Sequence, residues 1–129
     1  MKVLVTGASG RIGSALAVSL REQGHWVRGF DLNMPPAALD DSVVGSLLDI
    51  SAVERAVDGV DAIAHLAALM TWHPKDNPRL FEVNVTGTFQ LLQAAKNQHV
   101  GRFVFASSGE VYPELNPRVL PITESHPTL

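Results

Sequence analysis

Residues Val3-Leu4-Val5-Thr6-Gly7-Ala8-Ser9-Gly10-Arg11-Ile12-Gly13 constrain this chain more than any other stretch. A short β-branched run stops at a glycine-rich turn, and a helical pattern of apolar residues (Ala15, Leu16, Val18, Leu20) begins directly behind it. The spacing is Gly-x-x-Gly-x-x-Gly, and each glycine has its own physical reason. Gly7 lets the chain leave the strand in a tight turn. Gly10 removes a Cβ, so that backbone N–H groups can approach a pyrophosphate. Gly13, in the first helical turn, lets the helix sit close against the sheet. The helix N-terminus adds unpaired N–H groups and a partial positive charge. Three glycines alone describe many surface turns. Following a strand and opening a helix, with an acidic residue downstream, they predict a dinucleotide site.

The remaining pattern repeats that alternation. Residues 2–6 read as a buried parallel strand, and the first helix is expected over about 11–23, ending at Gly24 as a left-handed cap. The second strand covers 26–31 and ends in Asp31. A loop over 33–41 contains Pro35 and Pro36, and a short third strand is expected over 42–47. Ser51, with Glu54 three residues on, has the form of a capping box for a helix ending near Gly59. The fourth strand is expected over 61–66. A long helix, capped by Asp76 or Asn77 and opened by Pro78, should run to about Gln98. The fifth strand covers 102–106, and the proline-containing tail from Pro113 onward reads as loop. Strands separated by crossover helices give an α/β fold, a doubly wound parallel sheet with expected strand order 3-2-1-4-5. A ligand would lie across the carboxyl ends of the first and fourth strands, where the winding reverses.

With 129 residues the chain is one domain's worth, and a hydrophobic fraction of 46% suits an aliphatic core. The net charge of −3 recommends neither a nucleic-acid nor a membrane partner. There are no cysteines, so neither disulfides nor thiolate chemistry enters, and no metal site is expected. No apolar run approaches a membrane span, which makes cytoplasmic localisation the default expectation.

Asp31 lies eighteen positions beyond Gly13, where a carboxylate can accept the ribose hydroxyls of adenosine and repel a 2′-phosphate. That favours NAD over NADP. Arg11 complicates the choice, because it can pair with a 2′-phosphate, contact the pyrophosphate or stay in solvent. Asp49 and Ile50 end the third strand, where the acid can accept from the adenine amine or merely approach the following helix, and Ile50 can lie against the ring. Ala67 and Ala68 follow the fourth strand, small enough for a cofactor to rest on their backbone. His65, inside that apolar strand, reads as a satisfied core histidine. Asn84 is a poor helix-interior residue and Gly87 weakens the same helix again. Either the helix tolerates both, or they serve polar contact to neighbouring backbone and close approach of another element. Met70-Thr71-Trp72-His73-Pro74 is expected to help line a substrate pocket, with Trp72 able to stack on a sugar or base.

Together these residues resemble the extended short-chain dehydrogenase/reductase superfamily, in the branch of NAD-dependent epimerases and dehydratases. The likeness runs from Lys2 to about Glu124. It rests on Thr6-Gly7-Ala8-Ser9-Gly10-Arg11-Ile12-Gly13, Asp31, Asp49-Ile50, His65-Leu66-Ala67-Ala68, Asn84-Val85-Thr86-Gly87-Thr88 and Phe105-Ala106-Ser107-Ser108-Gly109-Glu110-Val111-Tyr112. The resemblance implies a Rossmann fold and NAD as cofactor. Its cofactor-binding set would be Gly7, Ser9, Gly10, Arg11, Ile12, Gly13, Asp31, Asp49, Ile50, Leu66, Ala67, Ala68, Asn84 and Ser107. Ser108 matches the catalytic serine that hydrogen-bonds the reacting oxygen, and Glu110 and Tyr112 fall in a loop that touches substrate. The catalytic Tyr-x-x-x-Lys of such enzymes is not present: Tyr112 is followed four residues later by Asn116, not lysine. By this likeness, residues 1–129 are the NAD-binding N-terminal part of a longer enzyme, and the last strand should expose apolar surface.

The resulting expectation is an NAD-dependent oxidoreductase, epimerase or dehydratase acting on a sugar or nucleotide sugar, with cofactor affinity but no turnover in this chain alone. The alternative is a non-catalytic dinucleotide-binding regulator, against which the presence of Ser108 argues. A homodimer through helix 78–98 is expected from the resemblance and from the apolar residues on several of its faces.

Overall fold

The computed structural model describes residues 1–35, 39–112 and 121–128. Pro36 and most of the tail from Pro113 therefore lie outside the described residues. Five parallel strands form one sheet: β1 (Lys2–Thr6), β2 (Trp26–Asp31), β3 (Asp41–Val44), β4 (Ala62–His65) and β5 (Arg102–Phe105). Their order is β3-β2-β1-β4-β5, as the alternation of elements predicts. Valine-rich β1 is central, pairing Val3 with Val27 on one side and Ala62 on the other.

The helices divide between the two faces. On one, α1 (Arg11–Glu22) sets Leu16, Ala17 and Leu20 against Val3, Val5, Val27 and Ala62. On the other, α2 (Ile50–Val57) and α4 (Gly87–Asn97) enclose Leu4, Phe30, Ile63 and Leu91. Each of these large side chains, at 1% exposure or less, contributes roughly 1.5–3 kcal/mol through burial. Arg28 ties β2 to α2: its Nε donates to Asp41 Oδ2 at 2.7 Å, and its guanidinium donates to the carbonyls of Arg55, Ala56 and Asp58 at the end of α2. The guanidinium also holds the Asp41 carboxyl below the usual carboxylate range.

Three local expectations require correction. The third strand is Asp41–Val44, starting earlier and ending sooner than 42–47, because the chain turns at Gly45 towards α2. The cap of α2 is Asp49, not Ser51. Asp49 Oδ1 accepts from the N–H groups of Ser51 (3.0 Å) and Ala52 (3.2 Å) and from Ser51 Oγ, so the supposed capping serine serves its predecessor. These bonds, that of Ser51 Oγ first, lower the Asp49 pKa. Lastly, helix 78–98 is not one regular helix. A 3₁₀ turn (Pro74–Asp76) leads into α3 (Asn77–Phe81), a π-helical turn follows (Glu82–Thr86), and α4 then begins at Gly87.

Candidate active site

The carboxyl ends of β1, β2 and β4 open into a crevice of about 400 Å³. Gly7, Ser9 and Gly10 form one part of its lining, Phe30 to Asn33 another, and Leu66 to Leu69 a third. Two glycines show why the first part has this sequence. Gly7 has φ +70°, and a Cβ there would meet Ala67 N at 2.8 Å, so the turn leans directly on the chain leaving β4. A Cβ on Gly13 would fall 2.1 Å from the Gly7 carbonyl oxygen. Gly13 therefore lets α1 start against the turn itself, closer than the sheet contact expected of it. Gly10 caps α1 without a side-chain acceptor, which leaves the first N–H groups of the helix available to a ligand.

Asp31 lines the crevice at the end of β2. Its Oδ2 accepts from Ser9 N–H at 2.9 Å and its Oδ1 from Asn33 N–H at 3.2 Å. Ser9 Oγ donates to the Asn33 carbonyl at 2.9 Å, closing the turn onto β2. The acid thus braces the glycine turn, and each oxygen keeps a lone pair for a ribose hydroxyl.

A buried chain of hydrogen bonds supports the β4 side. The N–H groups of Leu66 and Ala67 donate to Thr6 Oγ1 at 3.2 and 3.1 Å. That hydroxyl lies 2.7 Å from His65 Nδ1, and His65 Nε2 lies 2.9 Å from Thr88 Oγ1, which donates to the Asn84 carbonyl at 2.7 Å. The Thr88 proton is engaged with that carbonyl, so Nε2 donates; Thr6 Oγ1 already accepts two backbone N–H groups, so its own proton goes to Nδ1, and this assignment of hydrogens makes the ring neutral. Burial pushes its pKa down to about 4. His65 is a satisfied core histidine, packed against Phe103 and Phe105.

Asn84 sits in the π-helical turn and makes the polar contact to neighbouring backbone that its awkward position suggested. Its Oδ1 accepts from Leu69 N–H at 2.8 Å and its Nδ2 donates to the Leu69 carbonyl at 2.9 Å, clamping the chain after β4. Three residues on, a Cβ at Gly87 would stand 2.8 Å from Leu47 Cβ, so the glycine admits the loop after β3.

Of the residues expected around the cofactor, Gly7, Ser9, Gly10, Asp31, Leu66, Ala67 and Ala68 line the crevice. Gly13 and Asn84 act behind it. Arg11 and Ile12 are exposed at the start of α1 and stand outside the lining, as do Asp49 and Ile50. Ser107 and Ser108 lie beyond the end of β5, also outside it. Ser107 adopts φ +53°, a left-handed conformation uncommon for serine, and Ser108 Oγ accepts from Glu110 N–H at 3.2 Å. Met70 and Trp72 are 87% and 94% exposed and do not belong to the crevice either. The lining residues that sequence reasoning missed include Asn33, the loop Gly45 to Leu48, Arg79 and Val83. Val83 and Arg79 stand one helical turn apart, a spacing that could have put them on one face.

Among the described residues no helix is long and apolar enough to cross a membrane, and no cluster of His, Asp and Glu could hold a metal ion. A parallel sheet wound on both faces, with bare glycine backbone and an acid at its switch point, defines a dinucleotide-binding domain. The chain belongs to the NAD dependent epimerase/dehydratase family, whose pattern matches residues 3–128. A short-chain dehydrogenase/reductase superfamily protein from Agrobacterium tumefaciens, crystallised with bound NAD, is 53% identical and superposes with a TM-score of 0.90 over 100% of this chain and 39% of its own. UDP-glucose-4-epimerase from Stenotrophomonas maltophila, with bound NAD and formylated UDP-arabinopyranose, is 30% identical with a TM-score of 0.86, over 100% of this chain and 43% of its own. The 3 beta-hydroxysteroid dehydrogenase/Delta 5→4-isomerase of Mycobacterium tuberculosis is 40% identical over 119 residues, 85% of this chain and 32% of that protein. The chain thus spans about a third of that relative's length and about two-fifths of the two solved structures.

Proposed function

We propose that residues 1–129 form the NAD-binding part of an oxidoreductase, epimerase or dehydratase whose substrate is a sugar or nucleotide sugar. The observation that carries this reading is the crevice, where Gly7 and Gly10 present bare backbone and Asp31 presents a carboxylate. The residues fit the cofactor: the turn and the start of α1 would hold the pyrophosphate, Asp31 the adenosine ribose, and Ala67 and Ala68 the surface beneath. The bound nicotinamide supplies a hydride acceptor and donor. Ser108 would hydrogen-bond the reacting hydroxyl or carbonyl oxygen, and Ser107 orients the chain beside it. Transfer of the hydroxyl proton would fall to a tyrosine paired with a lysine, which no part of 1–129 supplies. A sugar substrate is supported by the nucleotide-sugar ligand of the Stenotrophomonas neighbour, whereas the mycobacterial relative is named for a steroid reaction.

Calorimetry of the complete protein with NAD, NADP and ADP-ribose tests the cofactor reading. NAD is expected to bind, and Asp31→Ala should weaken it about tenfold, the equivalent of one good charge-assisted hydrogen bond, while narrowing the preference over NADP. Failure of the wild type to bind NAD or ADP-ribose overturns it. A homodimer through the helical segment 78–98 belongs to the same proposal. Phe81, Val85, Phe89 and Leu92 are 44–62% exposed and recur at nearly helical spacing, an apolar stripe of the kind a partner helix covers. Sedimentation of the wild type against Phe89→Lys should show a dimer giving way to monomer.

A further inference from the structure

The crevice is lined by one charged side chain of each sign, Asp31 and Arg79. The acid is already engaged, since both of its oxygens accept backbone N–H groups. The guanidinium of Arg79 has no hydrogen-bond or ion-pair partner among the described residues. Arg28 shows the contrast, for its guanidinium is matched by a carboxylate and three carbonyls. Five N–H donors left unmatched on the wall of a largely apolar crevice await an acceptor, and an arginine fork suits an oxyanion best.

The segment that carries Arg79 is anchored on both sides. Asn84, five residues on, clamps Leu69, itself a lining residue. Before α3, Thr71 Oγ1 donates to Asp76 Oδ2 at 2.9 Å, joining the chain after β4 to the start of the helix. A different wall offers the bare N–H groups of the glycine turn and of α1, which runs for twelve residues with no side-chain cap. We propose that Arg79 pairs with the diphosphate of the bound dinucleotide, so that α1 and a guanidinium from α3 share its two negative charges. A 2′-phosphate is the poorer match, because it would sit beside Asp31.

This inference rests on the dinucleotide reading of the crevice, and the experiment separates the two. Calorimetry of the complete protein with ADP and with adenosine compares the wild type, Arg79→Gln and Arg79→Lys. Arg79→Gln is expected to weaken ADP about tenfold, to leave adenosine unchanged, and to flatten the salt dependence of ADP binding. Arg79→Lys should recover part of the loss by keeping the charge. Equal ADP affinity in wild type and Arg79→Gln overturns the proposal. So does an equal loss for ADP and adenosine, which would assign the side chain to the base or the fold. If the wild type binds neither compound, the dinucleotide reading itself fails.

Discussion

Strands β1 and β5 have similar sequences, Lys-Val-Leu-Val-Thr and Arg-Phe-Val-Phe, yet opposite surroundings. In β1, Leu4, Val5 and Thr6 are completely buried, with α1 over one face and α2 and α4 over the other. In β5, Val104 and Phe105 remain 60% and 54% exposed. A strand's composition therefore reports what it can bury, whereas its place in the winding decides how much it does. The same contrast separates the two halves of the site. The cofactor side is a walled crevice braced by the bonds of Asp31, Thr6 and Asn84, and the serine side stands at an open edge.

Substitutions can break this comparison, and the largest effect should come from Gly13→Val. Its Cβ would meet the Gly7 carbonyl oxygen 2.1 Å away, and the next atoms in its path are backbone of Gly7 and Ala8, which cannot easily yield. The expected cost is about 3 kcal/mol or more, visible as a collapse of the thermal midpoint and loss of ADP-ribose binding. Full stability with normal binding would show that helix and turn are not seated so tightly.

Acid should act next, through His65. Its folded pKa is depressed to about 4, so the unfolded chain takes up the proton first as pH falls. Its contribution is fully present above the ordinary histidine value near 6.5, declines below it, and is gone beneath about 4, a loss of roughly 3 kcal/mol. Urea unfolding at pH 7 and 4.5 checks this. In His65→Leu the histidine's share of the slope should vanish, although Thr6 and Thr88 lose a partner and the variant starts less stable.

The smallest effects test the strands themselves. Val5→Thr places a hydroxyl in a fully buried position and should cost about 2 kcal/mol. Val104→Thr, on β5, should stay within about 0.5 kcal/mol. Equal costs in denaturant titrations would mean that β5 is covered in the protein as tested.

Much of the fold could be read from the chain because its signals were local. The glycine turn, the alternation of strands and helices and the acid ending β2 all state their own geometry. Asn84 and Gly87 were legible for the opposite reason: each opposes the helix it occupies, and each meets a neighbour that explains it. The cap of α2 was misread because Asp49 and Ser51 are both good caps two residues apart, and only the backbone decides between them. The π-helical turn was hidden, since no residue type demands it. Arg79 was missed because it lies sixty-nine positions from Gly10 and meets it only through the winding of the sheet.

The wide turn at Glu82–Thr86 has one more consequence. In a regular helix, residues four apart drift around the axis by about 40° at each step, so Arg79, Val83, Gly87 and Leu91 would spiral away from a common line. An inserted residue absorbs part of that drift. One rod can then face the crevice with its first half and the sheet with its second.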